Sequence, residues 1–389
     1  MATTAESIPF PAVREEAPSI PWFIWASVAG VTSAIIGGHW DISWHRSIGR
    51  DDFWTPAHMA IYACGIIAGI SSAYLILATT FGIGSYPKGA AVRMWGFRGP
   101  VGAFLTAWGG VAMLTSAPFD DWWHNAYGLD VKIVSPPHVV LILGILAIQT
   151  GALLLMLGYM NRTTGFLKRQ YDYLFVYTGG MILLLLTVFI MEFTGRVYAH
   201  SGMYYRTVGL AIPGVLVAVT LASNLRWAGT IIAAIYTIFM LGFLWILPLF
   251  PAEPKLGPVL NPVTFFVPPQ FPLLLLVPAI ALDILWPGLR RRRKWTQAIL
   301  AGIVFLAVFV TVQWPFSDFL MSEAARNRFF GAHYQDYATG PNSYIARGIF
   351  SHERTSQDFW TNMGLAVVAS VLMCRFGIAC ADGMRKVQR

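Results

Sequence analysis

Two stretches of this chain carry carboxylates and imidazoles at matching intervals. The first reads HWDISWHRSIGRDDFWTPAHMAIY and the second FDDWWHNAYGLDVKIVSPPHVVLI. Asp41, Trp44, His45, Gly49, Asp51, Pro56 and His58 of the first correspond to Asp120, Trp123, His124, Gly128, Asp130, Pro136 and His138 of the second, with one additional residue in the second copy. Side chains four apart leave one face of a helix. Asp41 with His45, and Asp120 with His124, are therefore preset as ligand pairs if a helix runs through each motif. Thr55 and Ser135 are N-cap residue types followed by proline at the first helical position, which places His58 and His138 in the first turn of the next helix. Two imidazoles and one carboxylate hold a metal ion and leave coordination positions open, as catalytic sites do. The donor set suits copper, zinc or non-haem iron. Asp51 and Asp130 are placed to accept from the outer nitrogen of a ligating imidazole, with a solvated loop charge or a helix cap as the competing roles. One such motif alone would read as an interfacial histidine or a proton relay; two at the same spacing read as metal sites.

The elements that must position these residues are membrane spans. At 389 residues, 56% apolar and 12% charged, with a mean hydropathy of +0.58, the chain is far more apolar than a soluble domain. Stretches of roughly 20 apolar residues cross the hydrocarbon core, and about ten are present: 20 to 38, 57 to 82, 98 to 118, 136 to 160, 170 to 192, 205 to 224, 226 to 250, 264 to 287, 295 to 316 and 360 to 378. The expected fold class is an all-α polytopic bundle. The sixth and eighth stretches are the weakest, the eighth because Pro268, Pro269 and Pro272 interrupt it.

Alternate loops hold the basic residues: Lys88, Arg93 and Arg98, then Arg162, Lys168 and Arg169, then Arg226, then Arg290 to Lys294, and finally Arg385, Lys386 and Arg389. By the positive-inside rule these loops and both termini are cytoplasmic. His39, His45, His58, His124, His138, His200, His333 and His352 then all fall at the extracytoplasmic face. The net charge of +8 follows the orientation clusters, so nucleic acid is not an expected partner. Residues 1 to 19 lack the basic start and apolar core of a cleaved signal and read as a disordered cytoplasmic lead-in. Cys64, Cys374 and Cys380 read as small core residues. The organisation expected is a four-helix unit at 20 to 160 carrying the duplicated motif, followed by further transmembrane helices in 161 to 389 with a long extracytoplasmic loop at 317 to 358.

The run Asp41, Ser43, Trp44, His45, Arg50, Asp51, Thr55, Pro56, His58 resembles the signature of the C subunit of the copper membrane monooxygenases, D-x-S-W-H, R-D and T-P-x-H at this spacing. The resemblance covers roughly residues 20 to 160. It implies copper at Asp41, His45 and His58, and a second site at Asp120, His124 and His138, where that family has Asn or a similar polar residue in place of Asp120. It further implies a prokaryotic inner membrane, a trimer, and a partner subunit bearing a cupredoxin domain, which this chain itself lacks.

The expected function is a copper-dependent membrane monooxygenase, or its metal-bearing subunit, oxidising a small apolar substrate or ammonia with O2, with Asp41, His45 and His58 at the active centre. The alternative is a non-enzymatic membrane protein that stores copper or hands it on. Its mark would be a ladder of soft thioether ligands, whereas the 14 methionines are scattered. Glu192, Arg196 and His200 at the end of the fifth span read as an interfacial ion-pair group or the lining of a path, and the 317 to 358 loop as a lid or docking surface.

Overall fold

A computed structural model describes residues 19–83, 91–128, 135–255, 262–335, 353 and 355–387. Asp130, His352 and residues 336–352 and 354 of the expected long loop lie outside the described residues. The chain is an all-α polytopic bundle and an integral membrane protein: among the described residues nine helices are long and apolar enough to cross a bilayer. In chain order the helices are α1 (Trp22–Ser47), α2 (Pro56–Phe81), α3 (Val101–Tyr127), α4 (Pro136–Met160), α5 (Gly165–Ile190), α6 (Gly202–Ala222), α7 (Ala228–Ile246), α8 (Leu276–Leu289), α9 (Lys294–Leu320) and α10 (Ser356–Met384). A two-stranded hairpin, Val92–Met94 with Phe97–Gly99, precedes α3.

Hydropathy finds the hydrocarbon-crossing part of a helix and misses polar ends that project beyond it. So α1 runs to Ser47 rather than 38, and α3 to Tyr127 rather than 118, passing through Pro118. Both motif carboxylate–histidine pairs thereby lie on continuous helix. Likewise α9 continues through Leu320, so the outer segment begins beyond it rather than at 317.

The eighth stretch departs most from expectation. Only Leu276–Leu289 is helical, a length of about 21 Å, too short for a hydrocarbon core of about 30 Å. Pro268, Pro269 and Pro272 have no amide hydrogen and keep the preceding stretch extended. Non-helical backbone at this depth survives only where protein satisfies it, and here side chains of three helices do so. Val267 accepts from Ser43 Oγ and donates to Ser47 Oγ, each at 2.7 Å. Leu273 N–H donates to Tyr236 Oη (3.0 Å), and Leu274 N–H to Gln313 Oε1 (3.0 Å).

One continuous apolar core runs from Ile24 on α1 to Ile378 on α10. Side chains such as Ile70, Leu114, Ile238 and Leu372 remain exposed on the outside of the bundle, as a lipid-facing surface requires. Two close approaches place the motifs. A Cβ at Gly37 would lie 2.7 Å from Ile61 N and 3.0 Å from Ala57 O, so only glycine lets α1 approach α2 one turn before Asp41. At Gly109 a Cβ would meet Gly144 O at 2.6 Å, which draws α3 against α4 in the same way. The start of α1 and the end of α10 lie at one end of the bundle: Phe23 packs on Tyr159, and Asn161 Nδ2 donates to the carbonyls of Met384 and Val387. The seven described histidines gather at the other end, on the turns and helix ends where α1, α3, α7 and α9 finish and α2, α4 and α6 begin.

Candidate metal centres

The structure brings Asp41, His45 and His58 together as the spacing predicts, and adds Asp51 to them. One ligand atom from each of the four lies within 4.8 Å of every other, and the same holds for Asp120, His124 and His138. In the first group His58 Nε2 is 3.1 Å from Asp41 Oδ1 and 3.2 Å from Asp51 Oδ2, while His45 Nε2 is 3.4 Å from Asp51 Oδ2 and 3.7 Å from Asp41 Oδ2. In the second, His124 Nε2 is 3.5 Å from Asp120 Oδ2 and His138 Nε2 is 3.5 Å from Asp120 Oδ1. Four ligands at about 2.1 Å from a tetrahedral metal stand about 3.4 Å from one another. Both groups therefore have the spacing of a coordination shell.

Local sequence explains how the shell is built. After α1, Gly49 adopts φ 84°, and after α3, Gly128 adopts φ 88°, left-handed conformations that end both helices at the same motif position. Trp44 Nε1 donates to Arg50 O at 3.0 Å and folds the following loop back. That fold brings the Asp51 side chain, 5% exposed, over the imidazoles. Thr55 and Ser135 occupy the N-cap positions, but neither makes the expected capping bond. The Thr55 hydroxyl instead accepts from Asp52 N–H at 2.8 Å. Ser135 is followed by Pro136 and Pro137, neither of which has an amide hydrogen to offer.

Asp51 faces the Nε2 side of the rings, among the ligand atoms. The outer nitrogen of His58 is held by a group the side-chain pattern could not reveal, the backbone carbonyl of Asp52, at 2.9 Å from Nδ1. In the second group His124 Nδ1 lies 3.3 Å from Gly128 O. A carbonyl only accepts, so the proton of neutral His58 sits on Nδ1 and the Nε2 lone pair confronts two carboxylates. Lone pairs facing lone pairs at 3.1 and 3.2 Å require a cation, either a proton or a metal, among them. Asp41 Oδ1 and Asp120 Oδ1 are both buried oxygens without a well-formed hydrogen bond, which is the state of a ligand atom awaiting an ion. Burial opposes the charge of Asp51, but when His58 carries a proton on both nitrogens its hydrogen bond, with the charges of His45 and His58, outweighs burial and holds the Asp51 carboxyl below the usual range. The donor sets and the orphaned oxygens fit a divalent or monovalent transition metal at each group.

A cavity of about 330 Å³ borders both groups, reaching Asp51 and His58 of the first and Asp120 and His124 of the second. Tyr62, one turn beyond His58 with ring centroids 6.0 Å apart, lines it as well.

The other histidines stand apart from the two groups. His39 is buried and stacks on Phe243 with centroids 4.5 Å apart. His200 Nε2 lies 3.3 Å from Asp318 Oδ1, and Arg196 lines a separate cavity. His333 packs on Tyr334. Cys64 and Cys374 are buried as expected, and Cys380 is half-buried.

Comparison with protein-family models, with curated proteins and with solved structures finds no match.

Proposed function

We propose that the protein is a copper-dependent membrane monooxygenase, or the metal-bearing subunit of one, that oxidises a small apolar substrate or ammonia with O2. The observation that carries this reading is the convergence of Asp41, His45, His58 and Asp51 around an orphaned, buried carboxylate oxygen, with a companion group at Asp120, His124 and His138 on the same cavity. Bound copper supplies the redox chemistry that dioxygen activation needs, given an external reductant. The protein's own part is to fix the ligands. The Asp52 carbonyl keeps the His58 proton on Nδ1 and leaves Nε2 as the donor atom. On α2 the stripe His58, Tyr62, Ile66, Ile70 descends from the cavity, and Ile66 and Ile70 are exposed to lipid, a route by which an apolar substrate reaches the site from the bilayer. The equivalent glycine conformations and ligand spacings of the two groups favour an origin by duplication of a two-helix unit. The basic loops favour metal groups on the extracytoplasmic side of a prokaryotic inner membrane. A cupredoxin-bearing partner and a trimer belong to the same reading.

The test is metal analysis of the purified full chain, followed by oxygen uptake with a reductant and either ammonia or short hydrocarbons. His45→Ala and His58→Ala should each remove roughly one equivalent of copper, spare the other site and abolish substrate-dependent uptake. Unchanged metal content would remove the assignment. Copper without substrate-dependent uptake, in the presence of any partner that co-purifies, would identify a storage or transfer protein instead.

A further inference from the structure

The hairpin between α2 and α3 takes no part in either metal group, and its turn carries an unusual residue. The strands pair Val92 with Gly99, Arg93 with Arg98 and Met94 with Phe97, which leaves Trp95 and Gly96 as the two turn residues. Both have positive φ, 48° and 87°, the pattern of a type I′ turn, which favours Asn-Gly. A bulky side chain in the left-handed region is a steric outlier, and among the described residues Trp95 is the one non-glycine residue found there. Such strain persists only where other contacts hold it, and it gathers at functional sites. The Trp95 ring, 70% exposed, meets the ring of Trp108 edge to face with centroids 5.5 Å apart. Trp108 lies two turns into α3 and is itself exposed, as are Val111 and Leu114 beyond it. The turn therefore lies at the head of an outward, lipid-facing strip of α3.

The two faces of the hairpin are chemically opposite. Val92 and Met94 pack on the small core of Leu75, Ile76 and Phe104, and Arg98 N–H donates to Thr80 Oγ1 at 2.8 Å, which ties the ribbon to the end of α2. Successive strand residues alternate sides and directly opposed residues share one, so Arg93 and Arg98 face away from that core together. Next to the pair that closes a two-residue turn, the ladder alternates to a non-hydrogen-bonded position, where opposed Cβ atoms stand about 4.5 to 5.5 Å apart. Like charges at such a position destabilise the ribbon. Both side chains are exposed, and among the described residues neither has a carboxylate partner. Two guanidiniums held side by side above a lipid-facing tryptophan call for an anion located at the membrane surface.

We propose that the hairpin binds the headgroup of an anionic phospholipid, its phosphodiester bridging Arg93 and Arg98 and its acyl chains lying along Trp108, Val111 and Leu114. Guanidinium forks match phosphate oxygens bidentately. A phosphodiester between them removes the cross-strand repulsion, and the headgroup level is where an amphipathic indole such as Trp95 settles. A lipid is the occupant rather than a soluble phosphate because the strip beside the arginines is apolar and continuous with the outside of the bundle. The hairpin lies at the end opposite the histidines, where Phe23 at the start of α1 packs on the same small core. The site is thus separate from the metal groups and does not depend on the reaction assigned to them.

The experiment uses the purified full chain in a neutral detergent and three probes: phosphatidylglycerol, phosphatidylcholine, whose headgroup has no net charge, and inorganic phosphate. Binding is read as lipid retained in native mass spectrometry and as a concentration-dependent rise in melting temperature. Phosphatidylglycerol should bind about tenfold or more tightly than phosphatidylcholine, the scale of one charge-assisted hydrogen bond. Inorganic phosphate at the same concentration should leave the melting temperature unchanged. The double variant R93Q/R98Q should lose the preference for phosphatidylglycerol, whereas Arg291→Gln, a basic position elsewhere at the same end, should keep it. Trp95→Asn, which supplies the residue type the turn favours, should melt no lower than the unmodified chain without lipid and yet respond less to phosphatidylglycerol. Equal binding of the two lipids by the unmodified protein overturns the proposal whether or not the variants fold. A matching response to inorganic phosphate overturns the lipid in favour of a soluble anion, and full preference retained by the double variant places the lipid elsewhere.

Discussion

The chemistry of the first metal group turns on which atom of each side chain meets the ion. Asp51 and Asp52 are neighbours with different duties: the Asp51 carboxylate stands among the ligand atoms, and the Asp52 carbonyl orients His58 from behind. Asp51 already has its carboxyl held below the usual range, so it is ionised throughout mildly acidic conditions and cannot be the group whose protonation expels the metal there. The imidazoles are, because a ligating His must be neutral. Metal content should therefore fall as pH is lowered. Asp51→Asn should weaken binding by roughly 10- to 100-fold at neutral pH. Elemental analysis after dialysis at stepped pH checks both. Retention of full occupancy by the Asp51→Asn protein would make Asp51 a bystander. Asp41, His45 and His58 were legible in the sequence because helical spacing and a proline-led helix start fix where they point. The placement of Asp51 was not, because a fold-back set by Trp44 and Arg50 decides which side of the rings its carboxylate reaches. The part played by Asp52 left no trace in side-chain chemistry, since a backbone carbonyl does the work.

At the scale of elements, the metal groups depend on how closely paired helices approach. Gly37→Val would press a branched side chain against Ile61 N and Ala57 O, so α1 must move from α2 and carry Asp41 and His45 away from His58. The variant should lose about 1 to 3 kcal/mol of stability from overpacking. It should lose metal from the first group while the second keeps its own, measured by thermal melting and by metal content in His124→Ala and His45→Ala backgrounds, which report the first and the second group respectively. Equal loss from both groups would mean that the pairing acts globally. Nine helices were legible because long apolar runs leave few alternatives in a bilayer. The break in the eighth was legible in its prolines, but what stabilises its extended half was not, because Ser43, Ser47, Tyr236 and Gln313 lie on helices far away in sequence. The separate cavity that Arg196 lines was hidden for the same reason: residues of α1, α5, α6, α7 and α9 come to border it only after those helices have packed.

For the whole molecule the decisive arrangement is polar asymmetry along the bundle axis. The described histidines lie at one end, while Arg290 to Lys294 and the end of α10, joined by the Lys294 to Asp382 ion pair at 3.1 Å, lie at the other. If the basic end is cytoplasmic, Trp54→Cys, at a position 73% exposed beside the metal groups, should react with a membrane-impermeant maleimide in intact cells. Arg291→Cys should react only after permeabilisation, both in a chain whose three native cysteines are replaced. Labelling in the reverse order would place the histidine end in the cytoplasm and would sever the proposed link to extracytoplasmic copper.

The extended half of the eighth span also governs how the protein can be made. Its backbone partners come from α1, α7 and α9, and α9 leaves the ribosome after it. Until Gln313 is available the Leu274 amide has no protein partner, and an unsatisfied peptide group in hydrocarbon costs several kcal/mol. Residues 262 to 275 therefore wait at the interface or within the insertion machinery while later helices are synthesised, and a chain halted at the arginine run would hold them outside the lipid. Biogenesis thus has an obligatory late step, the seating of one proline-rich strand into a bundle already assembled around it.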